Sequence, residues 1–265
     1  MTTNRSIQYR STIDPKSLAG KKAVVTGGSI GMGLAIVRAL TDRGAEVVYT
    51  GRSDQRLAKA QAALGTPLAH PVRSDATDTG AIAALHDQVA DRLGGIDHLF
   101  INQGIAEFQT LEEVTEESWD RIFDVNAKSA FFTVKRLAPL MSEGGSIVFT
   151  TVSNDQIFPG LSAYSGAKEA VAAFTKVLAA ELLPRGIRVN AIAPGFILTP
   201  TMGVAELTEE QRAEFIEQGN ASTPMGRGGT VEEVAAAALY LAVEATFTTG
   251  VELAVDGGFG QGLGA

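Results

Sequence analysis

Cysteine is absent from this chain of 265 residues. Its absence excludes disulfides, thiol nucleophiles and cysteine-ligated metals. Histidine is scarce. His70, His86 and His98 fall on separate segments with no pair at a metal-ligand spacing, so no metal site is expected. Long apolar runs are missing too: none approaches the roughly 20 residues that span a bilayer. The longest, Val234 to Val243, suits a buried helix. The stretch Met1 to Lys16 is polar and lacks the apolar core of a signal peptide, so it reads as a loose extension and the chain as cytoplasmic. Positive charge is in the minority, 22 Lys and Arg against 30 Asp and Glu, for a formal net charge of -8. Such a surface disfavours nucleic acid and anionic membranes as partners. An anionic ligand therefore needs a local positive site.

What is present is ordinary globular material, 45% hydrophobic and 20% charged. β-type runs occur at Ala23–Thr26, Glu46–Thr50, Pro67–Val72, Asp97–Asn102, Ser146–Thr151, Ile187–Ala193 and Val251–Val255. Between them lie runs with helical spacing at Gly33–Arg43, at Ser53–Leu64 (Ser53 as N-cap), and at Thr79–Leu93, Glu116–Met141, Ser162–Leu183 and Thr230–Val243. Strict alternation of strand and helix implies parallel neighbours joined by crossover helices. The expected fold is α/β: one doubly wound, Rossmann-type parallel sheet of seven strands with helices on both faces. Residues 1–18 form the extension and 19–265 a single domain. The segment Pro194–Gly229 is irregular, with a short helix at Thr208–Gln218, and an irregular stretch of that length suits a functional lid.

The first strand runs into Thr26-Gly27-Gly28-Ser29-Ile30-Gly31-Met32-Gly33. Glycines there allow a tight turn and close approach of backbone to a pyrophosphate, and the following helix points its N–H groups and dipole at the phosphates. Gly27, Ser29, Ile30, Gly31 and Gly33 are the expected contacts. A dinucleotide of the NAD type is thereby implied. The second strand ends Tyr49-Thr50-Gly51-Arg52, with no carboxylate to bond a ribose 2′-hydroxyl. Arg52 offers a fork of donors to a 2′-phosphate, which favours NADP(H) over NAD(H).

Tyr164 and Lys168 stand four apart at the start of the helix from Ser162, so phenol and ammonium share one face. A nearby cation stabilises a phenolate, which suits Tyr164 to general acid and base work. The same spacing arises by chance in many helices; the position after the fifth strand of a nucleotide-binding sheet is what gives it meaning.

TGGSIGMG (26–33), Asp75, Asn102-Gln103-Gly104, Asn126, Tyr164 with Lys168, Pro194-Gly195 with Thr199, and VDGG (255–258) occur in this order. Together they resemble the short-chain dehydrogenase/reductase family, over Ala19 to Gly262. The resemblance implies a nicotinamide cofactor and a homotetramer. It implies that Asp75 and Ala76 meet the adenine, and that Asn102 and Gly104 border the adenosine ribose. Asn126 would hold a water in a proton relay through Lys168, while Pro194, the backbone of Ile197 and the Thr199 hydroxyl would fix the nicotinamide. Two positions depart from the family. Gln103 replaces an alanine, with no contact assigned to it. Thr151 stands where a serine orients the substrate carbonyl; it keeps the hydroxyl at the expected position and is placed ahead of Ser153, the nearest substitute.

The implied function is NADP(H)-dependent interconversion of a ketone and a secondary alcohol, with Asn126, Thr151, Tyr164 and Lys168 as the catalytic set. Ser153, Phe158, Leu161, Phe196 and Met202 would line an apolar substrate pocket. The alternatives are a non-catalytic NADPH-binding sensor on the same fold, and a redox-neutral dehydratase or isomerase using the same tyrosine.

Overall fold

Short aliphatic and β-branched runs become strands, and the helices between them cover both faces of the sheet. The computed structural model describes residues 18–154, 159–200, 208–261 and 263. In chain order the strands are β1 (Lys22–Thr26), β2 (Glu46–Gly51), β3 (Ala69–Arg73), β4 (Ile96–Ile101), β5 (Met141–Thr150), β6 (Arg188–Pro194) and β7 (Glu252–Val255). The helices are α1 (Gly31–Thr41), α2 (Asp54–Leu64), α3 (Thr79–Leu93), α4 (Glu116–Phe123), α5 (Ser129–Leu137), α6 (Ser162–Leu182), α7 (Glu209–Ser222) and α8 (Val231–Leu239). The seven strands form one parallel sheet in the order β3-β2-β1-β4-β5-β6-β7.

Successive strand residues point to opposite faces, and the core divides accordingly. Val25, Tyr49, Phe100 and Ile192 pack with Val37 and Leu40 of α1 and with Val234 of α8. Val24, Leu99 and Phe149 pack on the other face with Leu85 of α3, Val134 of α5 and Val171 of α6. Leu18 also enters the core: it is buried, and its N–H donates to the carbonyl of Arg43 at 3.0 Å. No helix among the described residues is long and apolar enough to cross a membrane.

Most element boundaries fall within two residues of those read from sequence, but the stretch Glu116–Met141 differs. It is not one helix. After α4 the chain makes a π turn over Asp124–Lys128 before α5 begins, and a short 3-10 segment, Ala138–Leu140, ends the run. Pro139 lacks an N–H and stops the α-helical ladder. Met141 already belongs to β5, pairing with Ile96 before the register shifts. The helix at 208–218 is longer than expected: Thr208 caps α7 through a reciprocal pair with Gln211, and the helix continues to Ser222.

From β1 the chain winds outward through β2 and β3, then returns to build β4 to β7 on the other side. The carboxyl ends of β1 and β4 therefore flank the point where winding reverses, the place where open α/β sheets bind ligands.

Candidate active site

At the end of β1 the backbone is too crowded for any side chain. Gly27 has φ +64°, and a Cβ there would lie 2.9 Å from the Gln103 Cα; at Gly33 a Cβ would lie 2.3 Å from the Gly27 oxygen. Asn102 reaches across from β4, its Nδ2 donating to the Gly27 carbonyl at 3.4 Å. α1 opens without a capping side chain, Ile30 stands at its N-cap in extended backbone, and no acidic residue occupies its first turn. Its leading N–H groups are thus available to an anion, with the positive end of the helix dipole behind them. Ser29 lies against Gly51, where a Cβ would come within 2.7 Å of its hydroxyl oxygen. Gly31 faces Thr199, its notional Cβ 3.6 Å from the threonine methyl. The expected phosphate loop and the expected nicotinamide anchor Thr199 are therefore neighbours, and a tight glycine loop that leaves the N-terminus of α1 uncapped fits the phosphates of a dinucleotide.

Arg52 is exposed just past β2, and Arg73 ends β3 beside it. Arg73 forms an exposed ion pair with Asp54 at 3.3 Å. The Asp75 carboxyl is held below the usual carboxylate range, first by the backbone N–H of Thr77 and then by its hydroxyl, with the charges of Arg52 and Arg73 adding to the effect. Ala76 follows it, half-buried.

On the other side of the cleft, α6 brings Tyr164 and Lys168 together. Lys168 is 3% exposed, and its Nζ donates to the Thr150 carbonyl at 2.9 Å. The same Nζ lies 5.8 Å from the centre of the Tyr164 ring. Asn126 is 1% exposed and sits within the π turn. Its Oδ1 accepts from the Ile105 N–H at 3.2 Å, and its Nδ2 donates to the carbonyls of Ile105 and Ile122, both at 2.9 Å. Gly104 completes the packing: a Cβ there would lie 2.7 Å from Asn126 Oδ1 and 3.1 Å from Lys168 Nζ. Burial acts on both groups. Burial pushes Tyr164 up to about 12 and Lys168 down to about 8.

The two candidate orienting hydroxyls have other partners. Thr151 Oγ1 contacts the Ile192 carbonyl at 2.9 Å and the carboxylate of Glu252. Ser153 Oγ donates to Asp256 at 3.1 Å. Sequence reasoning passed over Glu252; the signal was a carboxylate in an otherwise apolar β7. Pro194 ends β6, and Ile197 is buried, bridged to Gly229. Arg212 of α7 donates to the carbonyls of Thr199 at 3.1 Å and Pro200 at 2.8 Å, a clamp that sequence also missed. Phe196 packs edge-on to Phe215 and so close to Gly219 that a Cβ there would lie 2.2 Å from its ring, which places Phe196 beneath α7. Leu161 is half-buried at the N-cap of α6. Phe158 and Met202 lie outside the described residues.

The family described as "Enoyl-(Acyl carrier protein) reductase" matches residues 27–260. An uncharacterized oxidoreductase of Methylorubrum extorquens is 38% identical over 91% of this chain and 98% of its own length. An NADP-dependent (R)-specific alcohol dehydrogenase of Lentilactobacillus kefiri is 34% identical over 91% of this chain and 97% of its own. Among solved structures, a short-chain dehydrogenase/reductase from Serratia marcescens superposes with a TM-score of 0.84 at 32% identity, covering 93% of this chain and 100% of that one.

A buried amine with a lowered pKa costs folding free energy wherever the unfolded chain would be charged. Lys168 titrates near 8 instead of 10.5. Its penalty is therefore fully present below pH 8 and fades as pH rises towards 10.5. The shift corresponds to about 3 kcal/mol, less about 1 kcal/mol for the Thr150 carbonyl that a methionine leaves without its donor. Lys168→Met is expected to melt about 5 °C above the wild type at pH 7, with the gap closing by pH 10. Thermal melts of both proteins across that range are the check; a lower melting temperature at pH 7 contradicts the burial penalty.

Proposed function

The chain belongs to the short-chain dehydrogenase/reductase family, and we propose that within it the protein is an NADP(H)-dependent oxidoreductase interconverting a ketone and a secondary alcohol. The observation that carries this reading is the pairing of Tyr164 with a buried Lys168, whose Nζ lies beside Gly104 just past the end of β4. Relatives named as a D-beta-hydroxybutyrate dehydrogenase and an alcohol dehydrogenase support chemistry at a hydroxyl-bearing carbon. Arg52, with Arg73 beside it, supports the phosphorylated cofactor.

A nicotinamide bound along the cleft supplies or accepts the hydride. The residues of the chain manage the proton. Burial keeps the Tyr164 phenol protonated at neutral pH, the form that can donate to a carbonyl oxygen, and positive charge beside it would make that donation easier. In the reverse direction the Lys168 ammonium, fixed by the Thr150 carbonyl, favours the phenolate that must form. Asn126 holds the Ile105 backbone and supports Lys168 across Gly104. Thr151, once turned from Glu252, offers its proton to the substrate oxygen.

One observation favours the second reading, a non-catalytic NADPH-binding sensor: the Thr151 hydroxyl already has two partners. Ketones and secondary alcohols assayed with each nicotinamide cofactor separate the readings. Turnover that falls about a hundredfold or more in Tyr164→Phe supports the oxidoreductase. Tight cofactor binding without turnover favours the sensor, and product without cofactor oxidation or reduction favours a redox-neutral enzyme. In Arg52→Ala the ratio of kcat/KM for NADP(H) over NAD(H) is expected to drop about tenfold; an unchanged ratio removes Arg52 as the selector.

The orienting hydroxyl has its own test. Thr151→Ala is expected to lower kcat about a hundredfold, with Thr151→Ser and Ser153→Ala close to the wild type. Collapse in Ser153→Ala alone would transfer the role to Ser153.

A further inference from the structure

We propose that Gln103 is a positioning residue whose carboxamide ties the end of β1, where the phosphate cradle begins, to the π turn that carries Asn126. The inference rests on the reading of Asn126, Tyr164 and Lys168 as a proton-transfer site.

A single run of hydrogen bonds connects the two elements. The Asn102 N–H donates to Thr26 Oγ1 at 3.1 Å, and the Thr26 hydroxyl donates to Gln103 Oε1. Gln103 Nε2 donates to Ser129 Oγ at 2.8 Å, and the Ser129 hydroxyl donates to the Val125 carbonyl at 2.6 Å. Thr26 and Ser129 are both buried. The last bond repairs a specific defect. In the π turn the Ser129 N–H reaches back to Asp124 instead of Val125, so the ordinary i→i−4 bond to Val125 is not made. The Ser129 side chain supplies a donor to that carbonyl, one residue before Asn126.

Polarity fixes which atom of Gln103 faces which partner. A carbonyl only accepts, so the Ser129 proton is directed to Val125 and the Ser129 oxygen must receive. At the other end the Thr26 oxygen receives the Asn102 N–H and gives its own proton onward. A side chain with one acceptor end and one donor end is required between them, and a primary amide of this length has both. A carboxylate of the same shape would set an acceptor against the Ser129 oxygen and pull its proton away from Val125. A side chain without polar atoms conflicts less, since Thr26 can still donate to the Phe100 carbonyl at 3.3 Å and Ser129 to Val125.

The test compares Gln103→Glu with Gln103→Met in the full-length protein. At pH 8 Gln103→Glu is expected to lower kcat by about tenfold or more relative to wild type, and Gln103→Met by less. The deficit of Gln103→Glu should shrink as pH falls towards 5.5, because protonation returns a donor to that end of the side chain. A deficit independent of pH, or one no larger than that of Gln103→Met, overturns the proposal. Hydrogen exchange provides a readout without turnover: the amides of residues 124–130 should exchange faster in Gln103→Met than in wild type, and unchanged exchange overturns the tie. Faster exchange in a protein whose wild type turns over no alcohol or ketone would sink the oxidoreductase reading and leave the tie standing.

Discussion

The hydrogen bond from Lys168 to the Thr150 carbonyl joins a buried cation to the last residue of β5, and the rest of the site is built around it. An isolated ammonium in a protein interior is costly, so it must be enclosed by groups that accept from it or leave it room. The Thr150 carbonyl does the first. Gly104 does the second, since any side chain there would press on both Lys168 Nζ and Asn126 Oδ1. Asn126 is held in turn by the carbonyls of Ile105 and Ile122. A sheet end, a loop glycine and a π turn thus meet at one nitrogen.

Enclosure also sets the proton chemistry. Burial disfavours charge on both partners, raising the phenol to about 12 and lowering the amine to about 8. Both shifts work against proton exchange by Tyr164: a raised pKa makes the phenol a weaker acid, and a lowered one weakens the hold of the amine on its charge. On the proposed reading, positive charge brought into the site by an oxidised nicotinamide would offset the burial and lower the phenol's pKa.

Much of this was legible in the residues. Glycines at 27, 31 and 33 require the cradle that forms there, and Ser53 caps α2 as its position suggested. Tyr164 and Lys168 share a helix face because four residues make about one turn. The π turn was not legible. Its apolar spacing continues that of α4, and only the Ser129 N–H reaching Asp124 distinguishes it. Gln103 was visible as an odd residue, but its partners lie on β1 and α5, distant in sequence. Phe196 looked like pocket lining by its type; the close approach of Gly219 that puts it beneath α7 depends on tertiary packing.

The hydroxyl at position 151 shows where local fit and chemistry pull apart. β5 runs on past Thr150 along β6, with the N–H groups of Thr151 and Ser153 donating to the carbonyls of Ile192 and Pro194. Both side chains then find oxygen acceptors on β7 and just beyond it, in Glu252 and Asp256. These bonds hold the strand end in place, and a hydrogen bond to a carboxylate contributes about 2 kcal/mol. On the proposed reading, turning Thr151 towards a substrate would exchange its own bonds for one to an oxygen that gains charge as hydride arrives. On that reading, Glu252 would hold the hydroxyl until the reacting carbonyl claims it, so the bond would act on the transition state more than on ground-state binding.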